Sequence, residues 1–178
     1  MTRPTLFFLG PDGGDEEHSK IYLRTLFYST SKRGLVIENI FVRLRRGEST
    51  QNFNIWVYGE KDLFRGSGLY VGPEGIASNH HFLTPKDTGK FEFRTGQYRL
   101  EVFAKVVGRR MTKLLTSIDF QISDGDAVKL KKPGNGIYFD WGPDSESYHS
   151  HVDAKPRRFQ ELEALHYFAE KLRGDEQK

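Results

Sequence analysis

The stretch Lys113-Leu-Leu-Thr-Ser-Ile-Asp-Phe-Gln-Ile122 alternates between apolar and polar side chains along nearly its whole length. Leu114, Thr116, Ile118, Phe120 and Ile122 share one parity. Lys113, Ser117, Asp119 and Gln121 share the other, with Leu115 as the one apolar intruder. Successive strand side chains point to opposite faces, so a two-residue period with one apolar parity marks a half-buried antiparallel strand. Just upstream, Tyr98, Leu100, Val102, Ala104 and Val106 alternate with Arg99, Glu101 and Lys105, and Gly108-Arg109-Arg110 supplies the turn between. Two neighbouring strands of this kind predict an all-β, mainly antiparallel β-sandwich.

Strand signals continue outward from this pair. Leu35 to Arg46 is rich in β-branched and aromatic residues on both parities, which implies a bulge or burial of both faces. Phe53 to Gly59 reads as a further strand, and shorter ones are expected at Leu69–Gly72, at His81–Leu83 and where Phe91 and Phe93 alternate with Lys90, Glu92 and Arg94. Asp15 to Tyr28 fits either a helix or a strand over Ile21–Tyr28. Its aromatic content and the turn at Ser31-Lys32-Arg33-Gly34 favour the strand.

After Ser123 the texture becomes turn-rich, with Asp124-Gly125-Asp126 and Pro133-Gly134-Asn135-Gly136. Farther on, Phe159, Leu162, Leu165, Phe168 and Leu172 recur at helical spacing behind Asp153 and Pro156, which predicts an amphipathic α-helix. The expected organisation is a sandwich over 1–123, a turn-rich extension over 124–155 packed on it, and a helix over 156–173, all within one structural domain.

Thr95-Gly96-Gln97-Tyr98-Arg99-Leu100-Glu101-Val102 resembles the penultimate strand of immunoglobulin-like sandwiches. The resemblance spans roughly residues 20 to 123 and concerns the fold alone. It implies that the Tyr98 hydroxyl bonds back to the preceding corner. Leu100 would then stand where antibody domains place a cysteine, and Trp56 would be the buried tryptophan.

Composition agrees with a folded domain. The chain has 178 residues, 37% of them hydrophobic and 13% aromatic, enough to build a core and too apolar for a disordered chain. No uncharged apolar run approaches the ~20 residues of a spanning helix, so no membrane partner is expected. The absence of cysteine excludes disulfides, thiolate metal sites and thiol catalysis. The apolar run Leu6–Leu9 is shorter than the ~7–15 residues of a signal sequence, which makes a cytoplasmic location the expectation. Twenty-seven basic and 24 acidic residues give +3, and short basic runs are offset by acidic ones, an argument against a nucleic-acid partner.

Three clusters carry candidate chemistry. His149 and His151 are two apart, so an extended backbone turns both to one side, where Asp140 or His80 and His81 would complete a divalent-metal site. Metalloenzymes of the cupin type have a similar His-x-His pair with a glutamate a few residues on. Lys155 and Pro156 occupy that region here, and the match fails at the third ligand. The second cluster, Tyr138, Asp140, Trp141 and Tyr148, combines rings and carboxylates as protein- or carbohydrate-binding sandwiches do. The third, Arg65-Gly66-Ser67-Gly68, lacks the lysine and serine or threonine of a phosphate loop and reads as turns.

No serine sits in a nucleophile elbow. The preferred expectation is therefore a non-enzymatic binding or assembly module working through protein contacts or self-association, with no resident cofactor. A metal-binding protein or metal-dependent enzyme using the histidine pair is the alternative. A carbohydrate-binding sandwich comes second to that.

Overall fold

A computed structural model describes residues 1–12, 15–59, 63–85 and 90–154. Strands in chain order are β1 (Leu6–Asp12), β2 (Asp15–Phe27), β3 (Leu35–Arg46), β4 (Ser49–Phe53), β5 (Ile55–Tyr58), β6 (Phe64–Arg65), β7 (Leu69–Val71), β8 (Ile76–Leu83), β9 (Gly96–Val106) and β10 (Lys113–Ile122). The helix α1 (Asp124–Leu130) follows, then β11 (Asn135–Gly142) and β12 (Ser147–Ala154). The described strands form a seven-stranded sheet, β12-β11-β1-β2-β8-β5-β6, packed on a second sheet, β10-β9-β3-β4, in which β7 also pairs with β3. Every pairing is antiparallel. The all-β sandwich is the fold.

The core lies between the inner parities. Phe7, Leu9, Ile21, Leu23, Trp56, Phe82, Ile137 and Phe139 from the first sheet meet Ile40, Val42, Leu44, Leu100, Val102, Ile118 and Phe120 from the second, all buried. Rings tie the layers together: Phe120 lies 5.1 Å from Phe7 and 4.8 Å from Phe139, both edge-on. Tyr98, 2% exposed, donates its hydroxyl to the Arg94 carbonyl at 2.7 Å, the back-bond that the resemblance implied.

Several expectations take a different form here. Asp15–Phe27 is strand, not helix. β10 has the expected bounds, but its register with β9 shifts between Leu114 and Thr116. A bulge reverses the alternation there, so Leu115 packs on the core while Leu114 is exposed. The run Phe53–Gly59 is two strands, because the chain leaves the second sheet at Asn54 and enters the first, carrying Trp56 into β5. Phe91 and Phe93 make no ladder. They lie in an extended strap, with rings against Phe53 at 5.9 and 6.5 Å. The strap is pinned where the Ser19 hydroxyl donates to the Phe91 carbonyl and accepts from its N–H.

The stretch after Ser123 is more regular than its turn residues suggested. Ser123 caps α1 by accepting from the Asp126 N–H at 3.1 Å, with Asp124 and Asp126 in the first turn. The β11–β12 hairpin joins the seven-stranded sheet beside β1 and inserts Ile137 and Phe139 into the common core. The expected helix over 156–173 lies outside the described residues.

Candidate functional site

The alternation of the β11–β12 hairpin divides the expected ligand cluster between two faces. Ile137, Phe139 and Trp141 share the inner parity, and Trp141 is paired with Tyr148 across the hairpin. Tyr138 and Asp140 share the outer parity, opposite His151 and His149. Tyr138, Asp140, Trp141 and Tyr148 are therefore not one surface. Tyr148 donates its hydroxyl to the Pro4 carbonyl at 2.6 Å, and burial pushes its hydroxyl up to about 12. Trp141 meets Tyr148 edge-on at 5.0 Å, and the Arg3 guanidinium caps the indole 3.9 Å from its centroid. One face of the tryptophan is thus covered by a cation, which leaves a sugar ring only the other side.

On the outer face the histidine pair does share a side, with different partners. His151 Nδ1 stands 3.3 Å from Asp140 Oδ2, and its ring stacks on Tyr138 at 5.2 Å. The His149 ring lies over Gly142, with Nε2 2.9 Å from the Ser145 hydroxyl. His80 and His81 belong to β8, separated from β11 by β1 and β2, and do not join them. Among the described residues, no group of three or more His, Asp or Glu side chains is placed to hold a metal ion.

His80 has a different role from the expected one. It faces the core, fully buried, where its Nδ1 accepts from Trp56 Nε1–H at 3.2 Å and Phe27 packs edge-on at 4.8 Å. Burial, and secondarily the neighbouring His81, lowers its pKa to about 3. His81, on the outer parity beside Tyr22, is lowered to about 4 by burial and then by Lys20. The Gly66 that opens the glycine-rich stretch serves this cluster too: a Cβ there would stand 2.0 Å from Trp56 Cε3, so the indole requires glycine.

Two of the concavities touch β10. The larger, about 1070 Å³, opens between the β2–β3 loop and the β9–β10 turn. Its apolar lining includes Val36, Val107 and Met111, the last two 58% and 82% exposed. Arg109, Arg110 and Lys113 line it as well, and no Asp or Glu is among its described lining residues. Exposed apolar side chains ringed by one sign of charge are a docking chemistry. The smaller, about 470 Å³, runs between Ser117–Gln121 of β10 and the hairpin residues Trp141, Tyr148 and Ser150.

Sequence reading missed the larger groove because its residues come from two loops distant in sequence. The available signal was the run Val107-Gly-Arg-Arg-Met111, in which apolar residues flank a basic turn. Among the described residues, no helix is long and apolar enough to cross a membrane. No protein-family model matches the sequence, and no curated protein matches it.

Proposed function

We propose that the chain is a non-enzymatic protein-binding module with immunoglobulin-like topology, working at the end formed by the β2–β3 and β9–β10 loops. Support for the topology comes from strand order. β1, β2, β8 and β5 follow the sequence of the A, B, E and D strands, and β10, β9 and β3 that of G, F and C. The Tyr98 back-bond to Arg94 sits at the corner where such domains carry one. A departure is Trp56, which is buried on β5 and not on the strand equivalent to C.

The observation that carries the functional reading is the exposure of Val107 and Met111 within a groove bordered by Arg109, Arg110 and Lys113. An apolar centre supplies affinity, and a cationic rim supplies orientation and speed of encounter. Affinity capture from the native cell compares the full chain with Met111→Asp and Arg110→Glu. Both substitutions lie at exposed turn positions, so the melting temperature stays at that of the parent while the specific partner is lost by about tenfold or more. An unchanged set of captured proteins overturns the reading.

A further inference from the structure

We propose that the open edge of β10 accepts an extended segment of a partner protein as an added strand. The segment carries acidic residues toward the Lys113 end and alternate apolar side chains toward Gln121. This deepens the protein-binding reading and rests on it.

Among the described residues, β10 hydrogen-bonds along one side only, to β9, and ends its sheet. An edge strand presents a row of N–H and C=O groups to any chain able to pair, and proteins blunt such edges with proline or lysine. From Leu114 to Ile122 there is neither. The bulge at Leu114–Thr116 disturbs only the start of the strand, and Ser117 to Gln121 is regular.

The two sheets reach unequal distances on this side. The seven-stranded sheet continues past β1 as β11 and then β12, whereas the other sheet stops at β10. The 4.8 Å contact of Phe120 with Phe139 places β10 over β11. β12 therefore projects one strand beyond it, with Tyr148 and Ser150 on the inner parity. This step is the cleft of about 470 Å³ between Ser117–Gln121 and the hairpin. Ser150, which lines the cleft, donates its hydroxyl to Asp126 Oδ2 of α1 at 3.3 Å. A strand of about five residues, roughly 17 Å long, fills the regular part of the edge.

The same step selects the occupant. A second copy joined edge to edge would bring its own β11, lying beneath its own β10, to the position that β12 already holds. A single strand meets no such obstacle. Its inner side chains would rest on Tyr148, Trp141 and Phe120, which calls for apolar residues at alternate positions. Its other end would lie beside Arg109, Arg110 and Lys113, which calls for carboxylates.

The test pans a phage-displayed library of random linear decapeptides on the full chain and makes the selected peptides synthetically. Expected are peptides with acidic residues followed by alternating apolar ones, which slow amide exchange at alternate residues between Lys113 and Gln121 by tenfold or more. N-methylation of the peptide backbone at every second residue should weaken binding tenfold or more, and in the intervening register should not. Recovery of no binding peptide overturns the proposal. So does protection confined to the β2–β3 and β9–β10 loops, equal sensitivity of both N-methylation registers, or a dimer with β10 amides already protected. The protein-binding reading fails separately, when Met111→Asp and Arg110→Glu leave partner capture unchanged.

Discussion

On the outer face of the β10-β9-β3-β4 sheet, exposed side chains pair across strands. Arg99 bonds Asp119 at 2.7 Å, Arg45 bonds Glu101 at 2.9 Å, and Gln97 meets Gln121 at 3.1 Å. The outer face of the seven-stranded sheet carries a row in register across five strands instead: His151, Tyr138, Phe8, Tyr22 and His81. Phe8 and Tyr22 are only 3% and 2% exposed there. Both faces point away from the core between the sheets. Outward parity means mostly solvated polar pairs on one sheet, with the Phe41–Phe103 stack 5.0 Å apart among them, and a packed aromatic layer on the other.

The largest expected break between the two faces comes with acid. His80 and His81 are held to pKa values of about 3 and 4, against an ordinary value of 6.5, chiefly by burial. Below 6.5 the unfolded chain binds protons that the folded chain refuses, so stability falls as pH drops toward 4 and then 3. The loss is up to about 1.4 kcal/mol per pH unit for the buried His80, and less for the more accessible His81. Urea midpoints measured from pH 7 to 4 should decline, and His81→Gln should make that decline shallower. A flat profile over this range would rule out the buried neutral histidines.

A steric change comes next. The Phe8 ring lies over Gly136, where an added Cβ would stand 2.1 Å from Phe8 Cε2. Gly136→Ala should cost about 1–3 kcal/mol, seen as a lowered melting temperature. A melting temperature equal to the parent's would mean that the Phe8 layer yields without cost. The smallest effect belongs to the other face, where Arg99→Gln removes an exposed ion pair. Its melting curve should superimpose on the parent's, since such pairs contribute little in water. A clear drop would make the charged face as structural as the aromatic one.

Alternation was readable where one face meets water, as in β9 and β10, and it located the strands and the tyrosine corner. It was less informative for the seven-stranded sheet. Phe7, Phe8 and Leu9 are all buried, so periodicity could not say which residue points inward. The Phe53–Gly59 run concealed a change of sheet because Asn54, a turn-tolerant residue, stands alone between the apolar Phe53 and Ile55, with no glycine or proline beside it. Ser123 followed by Asp126 was a helix-start signal that the surrounding glycine and aspartates masked. For the candidate site, parity brought Asp140, His149 and His151 to one side. It could not show that β1 and β2 stand between them and His80 or His81. The loop-end groove depended on tertiary proximity, with the Val107–Met111 run as its one local signal.

The position of β1 inside its sheet has a consequence for the order of assembly. One of its neighbours, β2, follows at once, while the other, β11, comes from the far end of the described chain. On a ribosome, β1 therefore emerges with one bonding edge satisfied and the other bare until residues 135–142 have cleared the exit tunnel. During that interval Phe7 and Leu9 lack the cover of Ile137 and Phe139, and the border beside them is a template for the wrong partner. Once Ile122 has cleared the tunnel, the chain can complete its second sheet while the first is still unfinished. The risk of misassembly is greatest in that short window of synthesis.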